Sequence, residues 1–113
     1  MSAGSSAPWP PPPDLASLKE LFATADVEGL IADGAPLDEY DPEAKNFFAA
    51  IAEYPVERII AANLMPTLEA IWAHAFALDA EQLAKRRPAL ASLADQIARF
   101  FGPEAQPQTR SSV

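Results

Sequence analysis

Leu15, Leu18, Phe22 and Ala25 stand three, four and three residues apart. That rhythm places all four on one side of an α-helix. It returns in Ala44, Phe47, Phe48 and Ile51, and again from Val56 through Leu64, Leu68 and Trp72 to Phe76. Leu90, Leu93, Ala94, Ile97, Phe100 and Phe101 close the series. No stretch alternates apolar and polar residues as a half-buried strand does. The chain is therefore expected to be all-α: a small bundle of four to five helices, two of them broken or kinked at proline.

Capping and proline chemistry place the boundaries. Asp14 suits the N-cap of the first helix, and Thr24 and Asp26 are placed to end it and cap a short turn that closes at Gly34. Asp41 is the expected N-cap of the second helix, with Pro42 at its first position and Tyr54-Pro55 at its end. The third runs from Val56, with a kink or break near Asn63 where Pro66 removes a hydrogen bond. Asp79 and Gln82 read as a capping box for the fourth, which Pro88 is expected to divide and Gly102-Pro103 to stop. Residues 14–102 thus form one helical domain. Residues 1–13 read as a disordered Pro-rich leader and 103–113 as a disordered tail. The leader's proline run is either a stiff spacer or, with Trp9 as anchor, a ligand for an aromatic groove.

The chain carries 16 acidic and 8 basic residues, a net charge of −8. Phosphates would be repelled, so no nucleic-acid partner is expected, whereas a basic protein would be attracted. No apolar run reaches the ~20 residues that span a bilayer, and the start has no basic or apolar signal segment, so no membrane partner is expected. There is no cysteine, which removes disulfides, thiolate nucleophiles and cysteine metal sites and suits a cytoplasmic protein.

The densest charge lies in DGAPLDEYDPEA, residues 33–44, with Asp33, Asp38, Glu39, Asp41 and Glu43. Its spacing does not match the calcium-loop pattern, so no metal site is assigned. Capping accounts for Asp41 and Gly34, and Tyr40 can bury its ring while its hydroxyl finds a partner. Asp38 and Glu39 are left without a structural job. The segment is either a solvated helix-joining loop or a contact surface for a protein, with Asp38, Glu39, Tyr40 and Asp41 as candidate contacts.

Read with its upstream neighbours, the segment is DVEGLIADGAPLDEYDPEA, residues 26–44. It resembles a block in a family of small bacterial helical proteins, a domain of unknown function, in which D-P-I-G-L-I precedes G-A-P-x-D-E-Y-D-x-E. Asp26, Gly29, Leu30 and Ile31 match the first part. Gly34, Ala35, Pro36, Asp38, Glu39, Tyr40, Asp41 and Glu43 match the second. Val27 departs from the pattern, which has proline there. The resemblance implies a small α-helical domain and no particular activity.

Three other groups bear chemistry. Trp72, His74 and Phe76 lie together on the third helix and form a candidate pocket; aromatics at this spacing also build plain core, and His74 reads either as a general base or as a surface histidine. Lys85, Arg86 and Arg87 either grip a phosphate or nucleic acid, or form a solvated face or partners for acidic groups of the same chain. Phe47 and Phe48 point about 100° apart on a helix, so one is free to face a second protomer. An enzyme would need carboxylates such as Glu39 and Asp41 in separate environments beside a cleft. No catalytic constellation stands out and no cofactor is implied. The expectation is a non-enzymatic module that binds a protein, either itself or a basic partner, an immunity protein against a basic toxin being one case. The alternative is a small-molecule or metal-binding regulator using the acidic 33–43 loop.

Overall fold

Asp14 starts the first helix by accepting a hydrogen bond from the Ser17 amide at 2.9 Å, which satisfies one of the free N–H groups of the first turn. The structure, a computed structural model, describes residues 12–103 and residue 105. The proline run before Pro12, Trp9 and most of the tail lie outside the described residues. Helices α1 (Leu15–Ala25), α2 (Asp41–Ala50), α3 (Ala61–Ala75) and α4 (Ala80–Phe101) follow in order, with a single 3-10 turn at Val56–Arg58. The fold is all-α, and no strand occurs among the described residues.

The apolar stripes meet as their spacing requires. α3 packs along α4, α1 rests on α2 and α4, and α2 closes against α3. Leu18 and Phe22 of α1, Phe47 of α2, Leu64, Leu68 and Trp72 of α3, and Leu93, Ile97 and Phe101 of α4 are sealed from solvent. Phe22 lies 5.7 Å from Phe47 and 5.8 Å from Trp72 between ring centroids, within the range of favourable tilted pairs. Asp79 and Gln82 make the expected capping box at 2.8 and 3.0 Å.

Several boundaries differ from expectation. The N-cap of α2 is Tyr40, not Asp41; Asp41 and Pro42 are its first two residues. The fully buried Tyr40 ring draws the chain into the helix one residue early, so Asp41 accepts no capping bond and instead faces Lys19 at 3.5 Å. α2 also ends at Ala50, ahead of Tyr54-Pro55. The third apolar stripe is not one helix. Val56–Arg58 makes a 3-10 turn, Ile59 is buried, and Ile60 is extended as the N-cap of α3.

Pro66 and Pro88 fall inside helices, as their place in the apolar pattern requires, and neither divides its helix into two pieces. α3 runs through Pro66 and α4 through Pro88. Each proline leaves one carbonyl four residues back without its donor. Pro66, Ala62, Pro88 and Ala84 are all exposed, so water can take that place and neither helix has to stop. Gly102 ends α4 in extended geometry, not in the left-handed region. Its hydrogen matters for another reason: a Cβ there would run into the carbonyl oxygens of Ile59 and Ala98.

Candidate functional site

Residues 26–40 form a strap that leaves α1, crosses the end of the bundle and feeds α2. Asp26 begins it in left-handed geometry, φ 44°, and its N–H closes α1 onto the Phe22 carbonyl. Turning there aims its carboxylate back along the strap. One oxygen accepts the Ile31 amide at 3.0 Å and the Tyr40 hydroxyl at 2.7 Å; the other accepts the Ala32 amide at 2.9 Å. The Tyr40 hydroxyl in turn accepts the Glu28 amide at 3.0 Å. Gly29 and Gly34, at φ 73° and 108°, supply the turns between these anchors.

A second knot lies beside the first. The Trp72 indole donates to Glu28 at 2.9 Å, and the Arg86 guanidinium donates to both oxygens of the same carboxylate at 3.0 and 2.9 Å. Tyr40 stacks on Trp72 at 6.0 Å and 21°, and Phe76 packs on both rings. Asp26 thus ties the strap to itself through Tyr40, and Glu28 and Tyr40 pin it to the two longest helices.

The charges of these groups follow from their partners. Burial works to raise the Asp26 carboxyl, but bonds from Tyr40 and from the Ala32, Ile31 and Leu30 amides outweigh it and hold Asp26 below its usual value. Burial, with the neighbouring Asp26 carboxylate, pushes the Tyr40 phenol up to about 12. The hydrogen bond to Glu28 raises Arg86 further. Both oxygens of Asp26, both of Glu28, the Tyr40 hydroxyl and the Trp72 indole are each engaged by another group, which suits a strut rather than a reactive centre.

The outer side of the strap is different. Asp33, Pro36, Leu37, Asp38 and Glu39 are exposed. Leu37 shows 74 % of its surface, the most of any large apolar side chain among the described residues. It borders an open groove of about 400 Å³ whose other wall is Ala16, Lys19, Glu20 and Ala23 of α1. Asp38 and Asp41 line the same side as Leu37. Lys19 is taken up by Asp41, while Glu20, Asp38 and Glu39 form no ion pair among the described residues.

The expected site residues separate accordingly. Asp38 and Glu39 stand on the surface, and Asp41 lines the groove half-buried. Tyr40 does not join them: it is 1 % exposed, because its ring stacks on Trp72 inside the bundle. Trp72, His74 and Phe76 differ in their surroundings. Trp72 is sealed in the aromatic cluster, Phe76 is half-buried against it, and His74 is exposed to solvent. Glu39 is absent from the groove wall, so Glu39 and Asp41 do not share that groove. Arg86 and Arg87 serve acidic groups of the same chain, Arg87 holding Glu69 at 2.9 Å. Phe47 is buried and Phe48 only partly so.

Glu28 carries no signal of its own in the sequence, and Asp26 reads there as a helix end and the cap of a short turn, not as the partner of Tyr40. A buried indole N–H needs an acceptor, so Trp72 signals that one carboxylate or carbonyl must approach it. Nothing in the spacing says which.

Among the described residues no three His, Asp or Glu side chains stand where they could hold a metal ion, and no helix is long and apolar enough to cross a membrane. No family model, curated protein or solved structure matches the chain.

Proposed function

We propose that this chain is a non-enzymatic protein-binding module whose contact face is the outer side of the 33–41 strap with the adjoining groove on α1. The observation that carries this reading is Leu37. The strap is tied down from beneath by Asp26, Glu28 and Tyr40, yet it holds an apolar side chain 74 % exposed beside a groove. An exposed leucine alone is ordinary; one fixed at the lip of a concavity and followed by two unpaired carboxylates is an arrangement suited to a partner. The module would bind a second copy or a basic protein, as an immunity protein meets a basic toxin. The cysteine-free composition fits work in the cytoplasm. The alternative is a small-molecule or metal-binding regulator on the 33–43 loop; for the metal, no three carboxylates of that loop stand together.

The test compares the wild-type chain with Leu37→Ser and with Asp38→Asn/Glu39→Gln. Affinity capture from an extract of the source organism is combined with light scattering on each purified protein. A partner, or a self-assembly, lost in the variants supports the reading. Identical partners and identical masses for all three proteins overturn it.

A further inference from the structure

Helix α1 has two working faces. Leu18 and Phe22 enter the core. Ala16, Lys19, Glu20 and Ala23, at steps of three, one and three, form a second face that walls the groove, with Asp41 at the start of α2 beside it. The two alanines keep the floor low, and Leu37 forms the apolar edge opposite. At about 400 Å³ the groove lies in the range of ligand-sized clefts, with room for one or two large apolar side chains.

Its charge selects what can enter. The lining carries three carboxylates, of Glu20, Asp38 and Asp41, against one ammonium, that of Lys19. Lys19 already faces Asp41 at 3.5 Å, which leaves Glu20 and Asp38 uncompensated, with exposed Glu39 beside them. A second copy docking by the same face would set these carboxylates against their own duplicates, because a two-fold interface pairs a patch with itself. Like charges so placed oppose association, and the chain's net −8 adds to the repulsion. A neutral apolar segment would leave both carboxylates facing it without partners.

We propose that the α1–Leu37 groove receives a segment of another protein that carries one or two large apolar side chains flanked by Lys or Arg. The apolar group lies over Ala16 and Ala23 against Leu37, and the cations meet Glu20 and Asp38. This rests on the protein-binding reading above and specifies the partner's chemistry.

The probe is a phage-displayed random-peptide library selected on the full chain, with the enriched peptides titrated into ¹⁵N-labelled protein. The proposal expects enriched sequences with a large apolar residue beside two or more Lys or Arg. It expects amide shifts at Ala16, Ala23 and Leu37. It also expects affinity to fall about tenfold in Leu37→Ser and in Glu20→Gln/Asp38→Asn, with the second loss shrinking at high salt. Circular dichroism confirms that each variant remains folded. Neutral or acidic peptides that move the same three amides overturn the basic partner and leave the protein-binding reading standing. Selected peptides that leave those amides unmoved overturn both. A dimer of the chain alone that shifts them places a second copy in the groove and overturns the proposal.

Discussion

The Tyr40 hydroxyl donates to the Asp26 carboxylate at 2.7 Å, joining the end of α1 to the start of α2 across 14 residues of chain. The same oxygen accepts the Glu28 amide, so one phenol closes the strap from both sides. Tyr40→Phe keeps the ring stacked on Trp72 but removes these two bonds and a longer one, 3.5 Å, from the Leu30 amide. Leaving a partly buried amide without its acceptor costs about 1–3 kcal/mol, to be read by urea unfolding. The Asp26 pKa should rise in the same variant, measured by NMR titration; an unchanged value would remove Tyr40 from the account of that carboxyl.

Glu28 and Arg86 are expected to be energetically coupled. Arg86→Ala leaves the Glu28 carboxylate with the Trp72 indole as its one side-chain donor among the described residues, at a cost of about 1–3 kcal/mol. Glu28→Gln/Arg86→Ala should cost less than the sum of the single changes. Strict additivity in the double-mutant cycle would show that the pair is not coupled.

The two helix starts should respond differently to the same change. Asp79→Ala removes a capping box and should cost about 0.5–2 kcal/mol. Asp41→Ala removes a first-turn charge and a half-buried ion pair, not a cap, and should cost about 0.3–1 kcal/mol. Thermal melts of both variants under one condition decide the ranking.

Gly102→Ala should destabilise the chain by about 1–3 kcal/mol, since the new methyl meets two backbone carbonyls that cannot turn aside. The loss should appear as a lower urea midpoint. Gly34→Ala would act differently, through its φ of 108° with open space around it.

Glu43 and Asp26 predict opposite pH responses. One Glu43 oxygen is buried with no hydrogen-bond partner among the described residues; burial raises its pKa above 4.5, and nearby Glu39 adds to the rise. The folded chain therefore holds that proton more tightly than the unfolded chain. Stability from this group is fully present below pH 4.5 and is lost as pH rises through the raised folded value. Glu43→Gln should accordingly raise the melting temperature at pH 7 and lose that advantage towards pH 4. Asp26 is held below 3.8, so its contribution is present above that pH and is lost as pH falls through the lowered value. Melts of Asp26→Asn and wild type should converge in acid.

The helices and two of their caps are legible in the sequence because they are local. A 3.6-residue rhythm and an Asp followed three residues later by a free amide act within one turn, and Asp14 and Asp79 cap where the sequence places them. The departures are decided at a distance. Asp41 looks like a better cap than Tyr40, but a ring that stacks on Trp72 outweighs the intrinsic preference of a short polar side chain. Pro66 and Pro88 read as points where a helix kinks or breaks, but on the solvent side of a packed pair the freed carbonyl is open to water and each helix runs on. The acidity of the 33–43 segment and the exposure of Asp38 and Glu39 can be read from the chain, whereas the groove beside them cannot. Its floor is Ala16 and Ala23, its lip is Leu37, and only the closing of the strap by Asp26, Glu28 and Tyr40 brings those residues to one place. Short-range preferences determine which segments coil; which surfaces then face each other depends on burial and hydrogen bonding between residues far apart in the chain, which spacing alone does not encode.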